Sequence, residues 1–358
     1  MRHSNTSARS ADFASTEHQY PYKWTLSDLE KKEKNGLKVF SCFSCGGGSS
    51  MGYKLAGFDV IGCCEIDPAM MKVYKQNNHP RFSYLMDIRD FLKLEDLPPE
   101  LYDLDILDGS PPCSVFSMAG NREQDWDRSK AFREGQSLQK LDDLFFWFID
   151  VAERLQPKIV VAENVKGLML GQAKGYVNEI FRKFSGTGYE PQMFLLNSAK
   201  MGVPQRRERV IFVARRKDLN LPKLRLNFNE KMIPFGDIRD EVGDDFREDG
   251  EIKKLIKYRI PSDKYIADIH ARITRKNSGF TQPLNHDEEP SATITSGGTM
   301  LRYCDGLKMT KNDIIHCQTF PEDYDFLNQS VQYICGMSVP PVMMAHVAAE
   351  IYEQLLRS

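Results

Sequence analysis

The stretch "LKVFSCFSCGGGSS", residues 37–50, joins an apolar run to three glycines and two serines. Short apolar runs with β-branched and aromatic residues are typical of buried strands. Glycines followed by serines are typical of a tight turn that opens a helix. The stretch therefore predicts a strand over residues 37–43, a glycine-rich turn and a helix through residues 51–56, which together begin a β-α unit.

The same alternation continues along the chain. Further strands are predicted at "DVIGCCEID", "LDILD", "KIVVAENV" and "ERVIFVARR", and helices at "PAMMKVYKQN" and "LDDLFFWFIDVAERL". Short apolar strands alternating with helices predict an α/β fold, a Rossmann-like and mostly parallel sheet with helices on both faces. The alternation stops after about Lys217 and returns near the C-terminus, where Met344, Val347, Ile351 and Leu355 share one helical face.

Four segments are expected from this pattern. They are a flexible N-terminal extension (1–35), the main β-α domain (36–217), a smaller inserted domain (218–324), and a return segment that completes the main domain (325–358). Within the extension, a short helix is predicted from Thr25 or Ser27, since Ser27 and Glu30 have the spacing of a capping box.

Composition narrows the class of protein. The chain has 358 residues, a net charge of −2 and eight cysteines. Neither an export signal nor a long uninterrupted apolar run is visible, so a soluble, intracellular protein with reduced thiols is expected. Cys42 and Cys45 form a C-x-x-C without a second metal-binding pair, and no metal site is expected.

One region is strongly basic, although the net charge of the whole chain is close to zero. From Glu251 to Lys276 there are eight basic and three acidic residues, a local balance of +5. Such a stretch fits a surface that faces a polyanion, although an ordinary solvated charge pattern explains it as well.

Candidate chemical groups follow the predicted strands. Cys113 stands directly behind Pro111 and Pro112, whose rigid backbones would present a nucleophile, although a small buried side chain is the alternative reading. Glu65 ends the second strand, where an acidic group can bind ribose hydroxyls, and with the glycine turn it suggests an adenosine-containing cofactor. Neither the NAD fingerprint nor the ATP phosphate loop is present. Glu163 ends a later strand, and "QRRERV" brings arginines to the next one.

These motifs, taken in order, resemble those of the C5-cytosine DNA methyltransferases. The resemblance runs from about Leu37 to the C-terminus, apart from the variable middle, and rests on "FSCFSCGGGSS", "EID", Asp87 with Ile88, "GSPPCSVFS", "ENV", "QRRER", "CQTFPEDY" and "GMSVPP". It implies transfer of the methyl group of S-adenosyl-L-methionine to C5 of a flipped-out cytosine in a specific duplex DNA sequence, through a covalent adduct of Cys113. It also implies that residues 36–217 carry catalysis and cofactor binding and that residues 218–324 recognise the target.

The resemblance assigns roles to individual residues. The catalytic set it implies is Cys113, Glu163, Arg207 and Arg209. The cofactor set is Phe43, Gly46, Gly47, Gly48, Glu65, Ile66, Asp87, Ile88, Pro111, Met337, Ser338 and Val339. The DNA set is Ser114, Ser117 and Gln205, to which the basic stretch adds Lys253, Lys254 and Lys257.

Two residues depart from the family pattern. Cys45 and Met337 stand where the family usually has glycine and asparagine. Two other functions are alternatives: a transfer-RNA cytosine methyltransferase and a catalytically silent nucleic-acid-binding homologue. A nicotinamide oxidoreductase would leave "SPPCS" and "QRRER" unexplained.

The expected partner is double-stranded DNA, with a cognate restriction endonuclease encoded nearby as a further candidate. A monomer without a membrane anchor, in the cytoplasm and associated with the nucleoid, is expected.

Overall fold

The computed structural model describes residues 18–112, 143–169, 173–246 and 250–357. Within these ranges seven strands form the main sheet and two form a small ladder. The strands are β1 Lys38–Cys42, β2 Asp59–Glu65, β3 Phe82–Leu85, β4 Ile106–Gly109, β5 Ile159–Val165, β6 Tyr189–Asn197, β7 Glu208–Arg216, β8 Leu284–Asn285 and β9 Leu301–Arg302.

The described helices alternate with the strands of the main sheet and then dominate the C-terminal third. They are α1 Leu26–Glu30, α2 Gly48–Leu55, α3 Pro68–Asn78, α4 Ile88–Phe91, α5 Leu144–Leu155, α6 Ala173–Gly186, α7 Glu251–Leu255, α8 Ile266–Thr274, α9 Lys311–Gln318, α10 Val331–Met337 and α11 Pro341–Ile351.

The strand order of the main sheet is β3-β2-β1-β4-β5-β7-β6. β1, β2, β3, β4 and β5 pair in parallel, and β7 is antiparallel to both β5 and β6. The predicted mostly parallel sheet is thus confirmed. β6 is absent from the sequence prediction because its residues are mostly half-buried, as befits an edge strand that also contains Pro191.

The strand order reverses direction beside β1. β2 pairs with one side of β1 and β4 with the other, so their carboxyl ends meet at one sheet edge. In open α/β sheets such a switch point leaves a crevice beyond the strand ends. The fold therefore positions the site at the carboxyl ends of β1, β2, β4 and β5.

Alternating side chains of the strands enter two apolar layers. Val39, Ile106 and Val161 join the layer that includes α2 and α11, while Phe40, Leu107 and Val160 join the layer of α4, α5 and α6. Burial on both faces explains why these strands read as continuous apolar runs.

The C-terminal return segment is a core element. Met344, Val347, Ile351 and Leu355 are all buried, as their spacing predicts. The segment Val331–Leu356 is long and apolar enough to cross a membrane by length and composition, but 78% of its apolar window is buried inside the protein.

A separate small apolar cluster lies in the region predicted as the inserted domain. It contains Leu255, Ile256, Ile266, Ile269, Leu284 and Leu301. The predicted range 218–324 is wider than this cluster, because Leu224, Phe235 and Phe320 pack into the main core. Both ends of the predicted insertion therefore lie against the main domain.

The N-terminal segment differs from its prediction. Residues 18–35 do not form a flexible extension, since Tyr20 and Trp24 are buried in the main core. The Trp24 indole N–H donates to the Thr319 carbonyl over 2.9 Å. The helix α1 begins after Thr25, one of the two predicted starts, but its capping box differs: the Thr25 N–H donates to the Asp28 carboxylate, in place of the predicted pair of Ser27 and Glu30.

We expect Trp24→Ala to destabilise the protein by about 3–5 kcal/mol, since it removes a large buried ring and leaves the Thr319 carbonyl without its donor. Lys23→Ala, one residue earlier and exposed, is the control. Urea unfolding followed by circular dichroism measures both. Equal midpoints for the two variants would show that the N-terminal segment is not part of the folded core.

Candidate active site

A pocket lies beyond the carboxyl ends of β1, β2 and β4, where the fold predicts a crevice. Its empty volume is about 830 Å³, including the solvent at its mouth. It is lined by Phe43, Cys45, Cys64, Glu65, Ile66, Asp67, Met70, Met86, Asp87, Ile88, Ser110, Pro112, Leu144, Tyr333 and Met337.

Glu65 supplies a buried carboxylate to this pocket. Its two oxygens accept hydrogen bonds from the backbone N–H groups of Cys45, at 2.7 Å, and Asp67, at 2.8 Å. Burial raises the pKa of Glu65, while these N–H donors lower it. Each carboxylate oxygen keeps a lone pair, so Glu65 can still accept from the hydroxyls of a bound ribose.

Asp87 supplies a second carboxylate at the start of α4. Burial favours its neutral form, but the guanidinium and backbone N–H of Arg89 outweigh burial, so the pKa of Asp87 is lowered. Ile66, Ile88 and the ring of Phe43 form apolar walls beside these two carboxylates. Acidic groups between apolar walls fit a nucleoside, whose ring is flat and whose ribose donates hydrogen bonds.

The three glycines of the turn do not line the pocket. A Cβ on Gly46 would lie 2.3 Å from Cγ2 of Ile334, and one on Gly48 would lie 2.4 Å from the carbonyl oxygen of Val339. Gly47 has φ +82, a left-handed conformation that favours glycine. The structure therefore explains these glycines, which the resemblance places in the cofactor set, by close packing against residues 334–339.

Ser338 and Val339 take part in that packing and also do not line the pocket. The Ser338 hydroxyl is buried beside the first turn of α2 without a described hydrogen-bond partner. An unpaired buried hydroxyl next to a helix N-terminus is suited to a carboxylate ligand. The residues present thus fit a nucleoside that carries an amino-acid end.

A second group of side chains lies on β5 and β7. Nε of Arg209 is 2.7 Å from a Glu163 carboxylate oxygen, and both side chains are largely buried. Burial lowers the pKa of the Arg209 guanidinium, and the Glu163 carboxylate opposes this shift. A carboxylate and a guanidinium held together at a strand end can bind the polar edge of a heterocyclic ring, because one accepts and the other donates hydrogen bonds.

Asn164 joins this pair to the pocket. Its side-chain amide donates to the carbonyl of Pro111 over 3.2 Å, and its oxygen accepts from the N–H of Val165. Pro111 itself is buried, whereas Pro112 lines the pocket. The segment immediately before Cys113 therefore borders the pocket and is bound to β5 at the residue after Glu163.

Two predicted site residues have structural contacts instead. The Arg207 guanidinium is 2% exposed and donates to the carbonyls of Ile294, Gly336 and Ser338. The side chain of Gln205 is fully buried and bonds Ile294, Cys317 and Gln318. Arg207 thus does not occupy a catalytic position, and Gln205 does not face DNA, because each satisfies backbone groups inside the core.

Other predicted residues lie elsewhere. Cys113, Ser114 and Ser117 are outside the described residues. Lys253, Lys254 and Lys257 lie on α7 and the turn after it, beside the small apolar cluster. Their role as DNA contacts stays a prediction.

Sequence reasoning missed several residues around the pocket, among them Tyr333. Tyr333 lines the pocket from α10, four residues before Met337, which the resemblance places in the cofactor set. Residues four apart share one helical face, so this spacing is a signal that points from Met337 to Tyr333. The contact between Asn164 and Pro111, in contrast, carries no signal in a single sequence.

The comparisons with known proteins agree with this geometry. The family model described as C-5 cytosine-specific DNA methylase matches residues 37–353. Type II methyltransferase M.NgoPII of Neisseria gonorrhoeae is 27% identical over 354 residues, which covers 90% of this chain and 97% of that protein. Type II methyltransferase M.FnuDI of Fusobacterium nucleatum is 27% identical over 353 residues, covering 89% and 95%.

Two solved structures share the fold. One is a protein from E. coli assigned as a prophage-encoded DNA modification methyltransferase, with a TM-score of 0.63 and 19% identity over 89% of this chain and 99% of that one. The other is DNMT2 of Spodoptera frugiperda, with a TM-score of 0.57 and 18% identity over 88% and 100%.

We expect Met337→Asn to bind S-adenosylmethionine several-fold more tightly than the wild type. Met337 lines the pocket and is 38% exposed, so an amide at this position can reach a ligand, and one such hydrogen bond contributes about 1 kcal/mol. Met232→Asn, at an exposed methionine outside the pocket, is the control. Calorimetric titration measures both. Unchanged or weaker binding by Met337→Asn would make Met337 a packing residue.

Proposed function

This chain belongs to the C-5 cytosine-specific DNA methylase family, and from that premise we propose how its residues carry out the reaction. It is a DNA cytosine-5 methyltransferase whose methyl donor is S-adenosylmethionine. The proposal is carried by one observation: the pocket, the Pro111–Pro112 segment and the Glu163–Arg209 pair share one sheet edge.

Cofactor binding falls to the pocket residues. Glu65 accepts from the ribose hydroxyls, Asp87 accepts from the adenine amine, and Phe43 packs on the adenine ring. Outside this lining, Ser338 lies beside the first turn of α2, and its hydroxyl holds the amino-acid end. When bound, S-adenosylmethionine supplies an electrophilic methyl group on its sulfonium.

Cys113 activates the base. Its thiolate adds to C6 of cytosine, forming the sulfur–carbon bond while the C5–C6 π electrons move toward C5. C5 thereby becomes nucleophilic enough to accept a methyl group, and the electron pair of the donor's methyl–sulfur bond would stay on that sulfur as a neutral thioether. Loss of the C5 proton then returns the electrons to the ring and breaks the sulfur–carbon bond, which frees the cysteine.

Glu163 and Arg209 stabilise the ring while charge develops on it. The Glu163 carboxyl holds a proton at N3 and accepts from the exocyclic amine, and Arg209 donates to O2. The exclusion of water around this largely buried pair strengthens both interactions. Since a side chain must reach C6 while the methyl group arrives at C5, the cytosine has to leave the duplex stack.

We place substrate recognition in residues 218–324, with Ser114 and Ser117 as further DNA contacts beside the nucleophile. The basic stretch supports a phosphate-binding role, because Lys254, Lys257, Arg275 and Lys276 are exposed. Other members of the stretch are engaged within the protein: Arg272 pairs with Asp263, and Lys264 with Glu289.

The biological setting is a further part of the proposal. The similarity to Type II methyltransferases supports a role in DNA modification within a restriction-modification system. We propose that the enzyme acts as a monomer on chromosomal DNA in the cytoplasm, beside a restriction endonuclease encoded nearby.

The deciding experiment follows tritium from labelled S-adenosylmethionine. Transfer to duplex DNA, at cytosine C5, is expected. Transfer to transfer RNA instead would identify the RNA-modifying alternative. Transfer to neither, with cofactor binding intact, would identify a silent homologue.

We expect Cys113→Ser to abolish methyl transfer while cofactor and DNA binding persist, because a hydroxyl is a far weaker nucleophile at neutral pH. Duplex DNA with 5-fluorocytosine should trap the wild type as a covalent adduct on denaturing gels. Cys304→Ser, at an exposed cysteine, is the control and should form the adduct normally. An equally strong adduct from Cys113→Ser would move the nucleophile elsewhere.

Replacing Lys253, Lys254 and Lys257 together by Ala should weaken DNA binding and flatten its salt dependence. Each lost phosphate contact reduces the log-log slope by roughly 0.9. The matched control replaces the exposed Lys31, Lys72 and Lys75 together by Ala, which removes the same amount of charge from another part of the surface. Binding titrations over a range of salt concentrations separate the two, and equal slopes for both triple variants would show that the stretch only faces solvent.

A further inference from the structure

Asp108 is a buried carboxylate that none of the steps above uses. It lies in β4, directly opposite Ser41 of β1, and is 1% exposed. Its strand neighbour on the same face, Ile106, enters the apolar layer of α2 and α11. A carboxylate in such a layer has to be satisfied by hydrogen bonds.

Three hydroxyl groups, one on β1 and two on α2, supply those hydrogen bonds. Ser41 of β1 and Ser49 of α2 both donate to Oδ2 of Asp108 over 2.8 Å, and Tyr53 of α2 donates to Oδ1 over 3.3 Å. Ser49 is the second residue of α2, directly after the glycine turn. Asp108 itself stands five residues before Cys113. One side chain thus joins the cofactor turn to the strand that leads to the nucleophile.

This arrangement opposes stability at neutral pH. The pKa of Asp108 is raised to about 6: burial is the largest cause, the nearby negative charge of Glu163 adds to it, and the three hydroxyl donors oppose both. Other titratable groups that interact with it are Cys42 on β1, Tyr53 on α2 and Tyr74 on α3. Because the folded pKa exceeds the unfolded one, the ionised carboxylate reduces stability as the pH rises through 6.

We propose that Asp108 is a positioning residue for cofactor binding, which holds the first turn of α2 against β1 and β4 through Ser41, Ser49 and Tyr53. This role of Asp108 rests on the proposed function in one respect only, namely that S-adenosylmethionine is the ligand. Asp108 does not line the pocket and touches neither cofactor nor base. It acts on the pocket by fixing α2, whose N-terminal turn lies beside Ser338.

Three variants test this role. Asp108→Asn keeps the size of the side chain but replaces one acceptor by a donor, so one hydroxyl must turn away. Ser49→Ala removes a single donor and leaves the carboxylate in place. Asp105→Asn is the matched control: Asp105 is also buried, but it lies just before β4 and binds Lys38 and Lys158 away from the pocket.

The measurements are calorimetric binding of S-adenosylmethionine, steady-state kinetics and thermal unfolding without ligand at pH 7.5. Asp108→Asn should weaken binding about tenfold, the equivalent of one hydrogen bond to a charged group, and Ser49→Ala about threefold. KM for the cofactor should rise more than kcat falls. The unfolding temperature of Asp108→Asn should equal or exceed that of the wild type, since a disfavoured buried charge is removed.

Wild-type affinity in both Asp108→Asn and Ser49→Ala would overturn the proposal, as would weaker binding accompanied by a matching fall in unfolding temperature. Equal weakening by Asp105→Asn would overturn it too, because the effect would then not depend on α2. A wild type that binds S-adenosylmethionine but methylates no DNA would instead overturn the proposed function, and the affinities would still decide the role of Asp108.

Discussion

The close approach between the glycine turn and residues 334–339 is the constraint on which the pocket depends. Side chains at Gly46 or Gly48 would collide with Ile334 or with the Val339 backbone, so the turn and the return segment can pack only in their absence. The Tyr324 hydroxyl, which donates to the Gly46 carbonyl, adds a further tie. This contact brings α10, and with it Tyr333 and Met337, over strand ends that lie more than 220 residues earlier in the chain.

Buried charged groups then organise the region around the pocket. Arg207 binds the carbonyl of Ile294 in the inserted region and those of Gly336 and Ser338 at the end of α10, so one cation fixes two distant chain segments to the start of β7. Burial lowers its pKa well below the usual range, and carbonyl dipoles replace the water that it loses. Arg209, two residues later, is paired with Glu163 instead. Two arginines near the start of β7 thus differ in their contacts: Arg207 binds backbone carbonyls inside the core, and Arg209 forms an ion pair at the candidate site.

The small apolar cluster is built differently from the main core. Its buried side chains are few, and several of its basic residues neutralise nearby acids or bind carbonyls, as Arg259 does with Tyr303 and Cys304. The segments on both sides of it pack into the main core. Because this small cluster is separate from the sheet and its flanking segments are anchored in the main core, its residues can vary without disturbing the sheet. Such tolerance suits a region proposed to recognise a particular DNA sequence.

The sequence by itself determined the β-α order, the mostly parallel sheet and the edge at which the candidate groups lie. Apolar runs, turns and helical spacing are local properties, and strand direction in a parallel sheet then brings Phe43, Glu65 and Glu163 to one side. Only the tertiary structure decided that Trp24 is a core residue, that the glycines contact the return segment, and that Arg207 and Gln205 are internal. Each of these depends on a contact between residues far apart in the chain, and no local pattern records which distant surface a side chain meets.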